Sequence, residues 1–314
     1  MIEGNMRRRS IKELKPTVAT HFPSLSHEPD INQDIYMFTQ DVQIAVMPIG
    51  GRTEKHRNFA INIVGSAEDQ EKAQQLIREI GQYDRHDVVG MVCDAIDEIA
   101  RRLAWEGCAV YELIHGEDGS QHILGFTSKR LSKLPGFFLQ AIPRGDWDLW
   151  KRKVVVIPAT RVWYLEMPAA LCGRKGYVNI LKRLRRFEHL GPEFWRTDLE
   201  HGSQSTGFDF QRYVRNSEIY YGQVTKRWGW NRRDWSQERC TEFFTFYKMI
   251  RFHKAQAMLR EHIVAELNGL FARLGIRCDL QITGLPTPED ILLTERELSE
   301  GRITFGAASD RVRL

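Results

Sequence analysis

A chain of 314 residues with 42% hydrophobic and 27% charged side chains has the makeup of a folded globular protein, one large domain or two ordinary ones, which excludes a disordered or collagen-like polymer. A formal charge of +4 names no partner by itself, while eight Trp, nine Tyr and sixteen Phe can build a substantial core or a large subunit interface. No run approaches the roughly 18–20 apolar residues of a membrane span, and no apolar stretch follows Arg7, Arg8 and Arg9 as in a signal peptide, so a soluble protein made in a cytoplasm is expected.

Residues 1–34 read as an arm, because Pro16, Pro23 and Pro29 stand among scattered charges with no apolar period long enough for a core element. Val42, Ile44 and Val46 alternate ahead of Pro48-Ile-Gly-Gly51, which predicts a strand and a turn. Phe59, Ile61 and Ile63 alternate again before Gly65. Ser66 stands where a cap should, with Glu68 and Asp69 in the turn behind it, so a helix is expected to about Ile80 with Gly81 as its stop. A stronger helix is expected over 87–114, where Val92, Ile96, Ile99 and Leu103 form a seam on one face. Its end is expected near Gly107, because 108–114 reads equally well as a strand.

Residues 115–170 predict a small β-rich insertion, with apolar runs at 123–126, 137–142, 154–157 and 162–165 broken by Pro135, Pro143, Pro158 and Pro168. A helix follows from Gly176 to about Leu190, with Tyr177, Ile180, Leu181, Leu184 and Phe187 on one side and Lys182, Arg183, Arg185 and Arg186 on the rest. Beyond Gly191-Pro192 and a polar loop over 202–207 a shorter helix is expected over 210–221. Asp234-Trp-Ser-Gln237 signals the start of the longest helix, which should end at Leu274 with Gly275 behind it and span roughly 55–60 Å at 1.5 Å per residue. Pro286, Pro288 and a short helix over 292–298 precede a basic end. The fold class expected is α+β.

Chemistry is sparsely signalled. Cys93, Cys108, Cys172, Cys240 and Cys278 are odd in number and scattered, with no C-x-x-C pair, so buried free thiols in a reducing compartment are expected rather than disulfides or structural zinc. P-loop and G-x-S-x-G patterns are both absent. Asp94, Asp97 and Glu98 share a helix face and could hold magnesium for an enzyme, but Arg101 and Arg102 stand one turn on and favour a solvated or interface face. His253, Glu261 and His262 do not have the spacing of a metal motif. Charge is uneven: fourteen Lys and Arg against three acids lie between Phe126 and Arg186, whereas 88–114 carries five acids against two Arg. The segment Lys226-Arg-Trp-Gly-Trp-Asn-Arg-Arg-Asp-Trp235 interleaves cations with indoles, which suits either a single-strand nucleic-acid contact or an aromatic plug in a subunit interface.

Several strings, in order, resemble the portal proteins of tailed bacteriophages, particularly the short Mu-like branch. These are Gly107-Cys-Ala-Val-Tyr-Glu112, Leu124-Gly-Phe126 and Val154-Val-Val-Ile157, then Ser217-Glu-Ile-Tyr-Tyr-Gly-Gln-Val-Thr225, Ile263-Val-Ala-Glu-Leu-Asn-Gly-Leu270 and Leu298-Ser-Glu-Gly-Arg-Ile-Thr304. The likeness covers roughly residues 35–305, and it rests on the ordered set because no single string is specific. It implies a wing part over 35–86, a first stem helix over 87–114, a clip over 115–170 and a second stem helix over 171–200. A wing and tunnel-loop region with the long helix (201–275) and a C-terminal segment with a reduced crown (276–314) would complete the chain. The short length and compact clip depart from the usual portal.

The resemblance implies a structural subunit and no enzyme: a ring, usually of twelve copies, at one capsid vertex, through which double-stranded DNA is packaged and ejected. Its partners would be further copies of itself, the DNA, the terminase large subunit, the major capsid protein and head–tail adaptor proteins, with no membrane, metal or cofactor. On this reading Lys226, Arg227, Trp228, Trp230, Arg232 and Arg233 face the DNA. The carboxylates Asp94, Asp97 and Glu98 of one stem helix would zip to Lys182, Arg183, Arg185 and Arg186 of the other between subunits. Two rivals remain: a nucleic-acid-binding protein that forms no ring and uses the 226–235 loop, and a magnesium enzyme built on Asp94, Asp97 and Glu98.

Overall fold

The computed structural model describes residues 16–25, 33–44, 46–48, 58–83, 85, 87–116, 120–188, 219–230 and 241–312. It is a mixed helix-and-sheet, α+β structure with three hydrophobic clusters among the described residues, one large and two smaller. Among the described residues no helix is long and apolar enough to cross a membrane.

Helix α1 (Gln33–Ile44) occupies the place where a strand was expected around Val42. Phe38 and Val42 lie four apart and are both fully buried, so the period that matters here is helical. The alternation of Val42, Ile44 and Val46 is a coincidence of a short window, and Ile44 is 40% exposed. Strand β1 (Ala60–Gly65) forms as expected, but its partner comes from the far end of the chain: β8 (Cys278–Thr283) runs antiparallel to it from Ala60↔Thr283 to Gly65↔Cys278. Helix α2 (Ala67–Ile80) starts on Ser66, whose hydroxyl accepts from the Asp69 N–H at 3.2 Å, and buries Ala73, Leu76, Ile77 and Ile80.

Helix α3 (Val88–Glu106) is capped by Asp87, which accepts from the Gly90 N–H at 2.6 Å. It ends at Gly107, one of the two ends the sequence offered, and does not run on to 114, because Gly107 takes the left-handed conformation (φ +71°) and the chain leaves as strand β2 (Cys108–His115), seven of whose eight residues are buried. Helix α3 is buried on nearly every side, against α1, α2 and β1, and is the axis of the larger core.

The β-rich insertion is two small antiparallel sheets. Strand β3 (Gln121–Phe126), β2 and β7 (Val162–Glu166) form one in that spatial order, and β4 (Leu131–Leu134), β5 (Phe137–Ala141) and β6 (Val154–Pro158) form the other. Cys108 stands opposite Glu166, so the chain leaves and re-enters the helical body at one point. Residues 16–25, expected to lie outside any core, are a strap over this module. Val18, Ala19 and Phe22 pack with Phe126, Phe138, Ile142, Val155 and Ile157. Three buried polar side chains hold its backbone: Glu112 accepts from the Thr17 N–H at 2.9 Å, Gln140 from the Ala19 N–H at 2.9 Å, and Asp146 from the Ser24 N–H at 3.1 Å. The strap binds through side-chain acceptors rather than a strand ladder, and that leaves no apolar alternation to read.

Helix α4 (Gly173–Glu188) buries Tyr177, Ile180 and Leu184, and the Tyr177 hydroxyl donates to the Ala104 carbonyl of α3 at 2.9 Å. Helix α5 (Glu242–Arg273) has 32 residues, about 48 Å at 1.5 Å per residue. The capping signal expected at 234–237 and most of the helix expected over 210–221 lie outside the described residues. The second half of α5 buries Leu259, Ile263, Leu267, Leu270 and Phe271 in the main core, and Gly275 (φ +73°) closes it. Its first half carries a separate small core, with Ile250 and Ala257 packed on helices α6 (Pro288–Ser299) and α7 (Phe305–Val312). The helix therefore crosses the whole body.

Phe22→Ala should lower stability to chemical denaturation by about 3 kcal/mol, as for any large ring taken out of a core. An unchanged unfolding midpoint would mean that the strap does not pack on the β module.

Candidate nucleic-acid interface

The 226–235 segment begins as a tight turn. A helical stretch over 219–224 leads into it, and Thr225 anchors it by donating its hydroxyl to the Tyr221 carbonyl at 2.7 Å. Trp228 is fully buried, in contact with Phe38 (5.8 Å between ring centroids), Tyr177 (5.6 Å) and Phe252 (6.5 Å). Trp230 is also buried, 5.2 Å from Phe38, and its indole N–H donates to Asp41 at 2.8 Å. Neither indole face is available to a base, which corrects the expectation that Trp228 and Trp230 face DNA. The physical reason is area: a Trp buried among neighbouring rings gains far more than one left to wait for a ligand. Gly229 makes the turn possible. Its φ is +71°, and a Cβ there would come within 2.6 Å of the Arg251 Cβ and 2.7 Å of the Lys248 carbonyl.

Because the indoles point inward, Lys226 and Arg227 point outward. They form one wall of an open cavity of about 690 Å³. Arg251 and Lys254, one turn apart on α5, also line it, with Leu171, and Glu295 of α6 supplies the one carboxylate among the described lining residues. Lys226, Arg227 and Lys254 make no ion pair with the described residues. Arg251 is held: its guanidinium lies 4.1 Å over the Tyr247 ring, and its Nε is 3.7 Å from a Glu295 oxygen. Among the described residues four cations line the cavity against one carboxylate, so its lining carries net positive charge. Arg232 and Arg233 lie outside the described residues.

The expected stem pairing is corrected on its acidic side. Glu98 is buried and already bonded within the chain: Arg101 takes both its oxygens at 2.7 Å, and Arg102 donates to it from Nε at 2.7 Å. Arg102 goes on to donate to the Phe126 carbonyl at 3.1 Å, so the cluster ties α3 to β3. Asp94 is buried too and accepts from the Tyr83 N–H at 2.8 Å; burial pushes its carboxyl above the usual range. Asp97 is half-buried beside them. As α3 is the core helix, Asp94 and Glu98 brace its own turn and sheet instead of reaching another subunit. On α4, Lys182 and Arg185 are exposed, while the Arg183 guanidinium lies 5.8 Å over the Tyr220 ring. The side chain of Arg186 lies outside the described residues.

No group of three or more His, Cys, Asp or Glu side chains among the described residues could hold a metal ion. The two histidines of the long helix are separately engaged: His253 bonds Gln256 at 3.2 Å and His262 meets the Glu166 carbonyl at 3.0 Å. Of the cavity's cations, Arg251 and Lys254 escaped the reading of the sequence. Their i, i+3 spacing was visible, but nothing in the chain order links that face to a turn more than twenty residues earlier. Compared with known protein families and with curated proteins, the chain matches none.

Gly229→Ala should cost about 1–2 kcal/mol from the left-handed backbone alone, whereas Lys226→Ala with Arg227→Ala should leave the melting temperature within a degree or two. Equal losses in both variants would contradict the division into buried rings and displayed cations. Burial, partly offset by the Gln256 contact, lowers the pKa of His253. A histidine held neutral in the fold gives up stability as pH falls below its unfolded value of about 6.5. His253→Gln should therefore lose less stability than the parent between pH 7.5 and 5.5 in urea titrations.

Proposed function

We propose that this chain is a structural subunit of a portal-type ring of a tailed bacteriophage, a conduit for double-stranded DNA rather than an enzyme. The observation that carries the reading is the β excursion between Cys108 and Glu166. It opens and closes on one register pair, is entered from a buried helix, returns through a basic one, and is followed by a 32-residue helix whose closing strand pairs back to β1. A β module set between two helices in chain order is what a clip requires, and the string order that resembles portals follows the same path. In this role the subunit docks the terminase large subunit by its clip, sits against the major capsid protein, and later receives head–tail adaptors in the virion.

The first stem helix of that scheme needs revision, since α3 is an internal strut. Contacts between subunits fall instead to surfaces such as the exposed basic face of α4. A second reading, a nucleic-acid-binding protein without a ring, is favoured by the cationic cavity, which is formed within one chain.

Light scattering and negative-stain imaging of the purified protein decide between them. The portal reading expects closed rings with a central hole, near twelve times the 36.6 kDa chain mass. A stable dimer with no larger species at any concentration would overturn it.

A further inference from the structure

The cavity between the 225–229 turn and α5 has two features that a mere basic patch lacks. One is selectivity against bases. Trp228 and Trp230 are closed inside the core and none of the described lining residues is aromatic, so what these residues offer a ligand is charge and methylene surface. Lys226, Arg227 and Lys254 present ammonium and guanidinium groups with no carboxylate of the described residues to neutralise them. Such a set recognises phosphate oxygens and carries no sequence information.

The other feature is a built-in competitor. Glu295, whose side chain is 16% exposed, stands in the same cavity with its oxygen 3.7 Å from Arg251 Nε. The distance is long for a charge-assisted bond, and Arg251 spends its remaining reach on Tyr247, both on the ring face and through a bond to its hydroxyl. Arg251 is thus kept beside the cavity by a pair of partners that any incoming phosphate must share, and Glu295 repels that phosphate. A carboxylate that neither closes the cavity nor fully neutralises it lowers affinity without removing the site.

We propose that this cavity seats the phosphodiester backbone of a nucleic acid, through Lys226, Arg227, Lys254 and Arg251, and that Glu295 is the residue that keeps the grip weak. Duplex DNA as the occupant rests on the portal reading above; the phosphate chemistry of the cavity does not. A weak, base-blind contact suits a strand that must move along its axis, because each phosphate has to leave as readily as it arrives.

The test uses the full chain and a fluorescently labelled 30-base-pair duplex, with binding measured across a salt series for the parent, Lys226→Ala/Lys254→Ala and Glu295→Gln, each checked for an unchanged melting curve. The double variant should bind more weakly and reduce the slope of log K against log salt by about two, one for each lost phosphate contact. Glu295→Gln should tighten binding about three- to five-fold at low salt, and two unrelated duplex sequences should bind alike. An unchanged slope in the double variant, or no binding by the parent, overturns the seat. Glu295→Gln binding no tighter than the parent overturns the role of Glu295. If inorganic phosphate or a nucleoside triphosphate displaces the duplex at micromolar concentration, the site is one for small phosphates and the duplex is the wrong occupant. Ring mass read on the same samples separates the two ideas: the expected slopes without rings would sink the portal reading and spare the seat, and rings with an unchanged slope would do the reverse.

Discussion

Trp228 is where distant parts of the chain are made to meet. Phe38 comes from α1, Tyr177 from α4 and Phe252 from α5, and all three rings touch the one indole, with Trp230 and Tyr221 closing the cluster around Phe38. Rings of this size pack in edge-to-face geometry only if the segments that carry them approach at defined angles. The Phe38–Trp228 pair, with planes at 87°, is of that kind. Around this knot α3 lies buried along its length, and α5 runs past it to reach both the main core and the small one under α6 and α7.

The β module depends on a different device. Its three-stranded sheets are too small to bury both faces of their own strands, and the strap over 16–25 supplies the missing layer. Glu112, Gln140 and Asp146 are buried acceptors that would be costly if left alone, and the strap backbone and Ser24 hydroxyl satisfy them. Glu112 also receives Arg161 at 3.0 Å, which ties β2 to the turn ahead of β7. The same logic joins the module to the body: Arg102 links Glu98 of α3 to the Phe126 carbonyl, and Arg174 of α4 donates to the Tyr164 hydroxyl of β7 at 2.7 Å.

These two devices decide what the surface can do. The aromatic knot consumes the indoles of Trp228 and Trp230 and leaves Lys226 and Arg227 displayed, so a turn that looks like a base-stacking platform becomes part of a cation-lined cavity. The polar braces consume the carboxylates of α3, so a face that looks like a metal site or an inter-subunit zipper becomes internal scaffolding. Portal function, as proposed, then rests on exposed basic surface and on the inserted β module, and requires no catalytic group.

Local chemistry was legible wherever it was self-contained. Ser66 and Gly81 bound α2, Gly107 and Gly275 end α3 and α5 in left-handed turns, and the apolar runs of 123–166 mark strands, because caps, turns and short alternations depend on residues a few positions apart. The class of fold followed from the same signals. What the sequence could not settle is which surfaces meet: that β1 pairs with β8 across more than two hundred residues, that a proline-bearing arm completes a core, that Trp228 and Asp94 face inward, and that Arg251 and Lys254 join Lys226 and Arg227 around one cavity. Capping and turn geometry are properties of adjacent backbone. Burial and charge clustering are properties of surfaces brought together in three dimensions, and only the tertiary structure decided those.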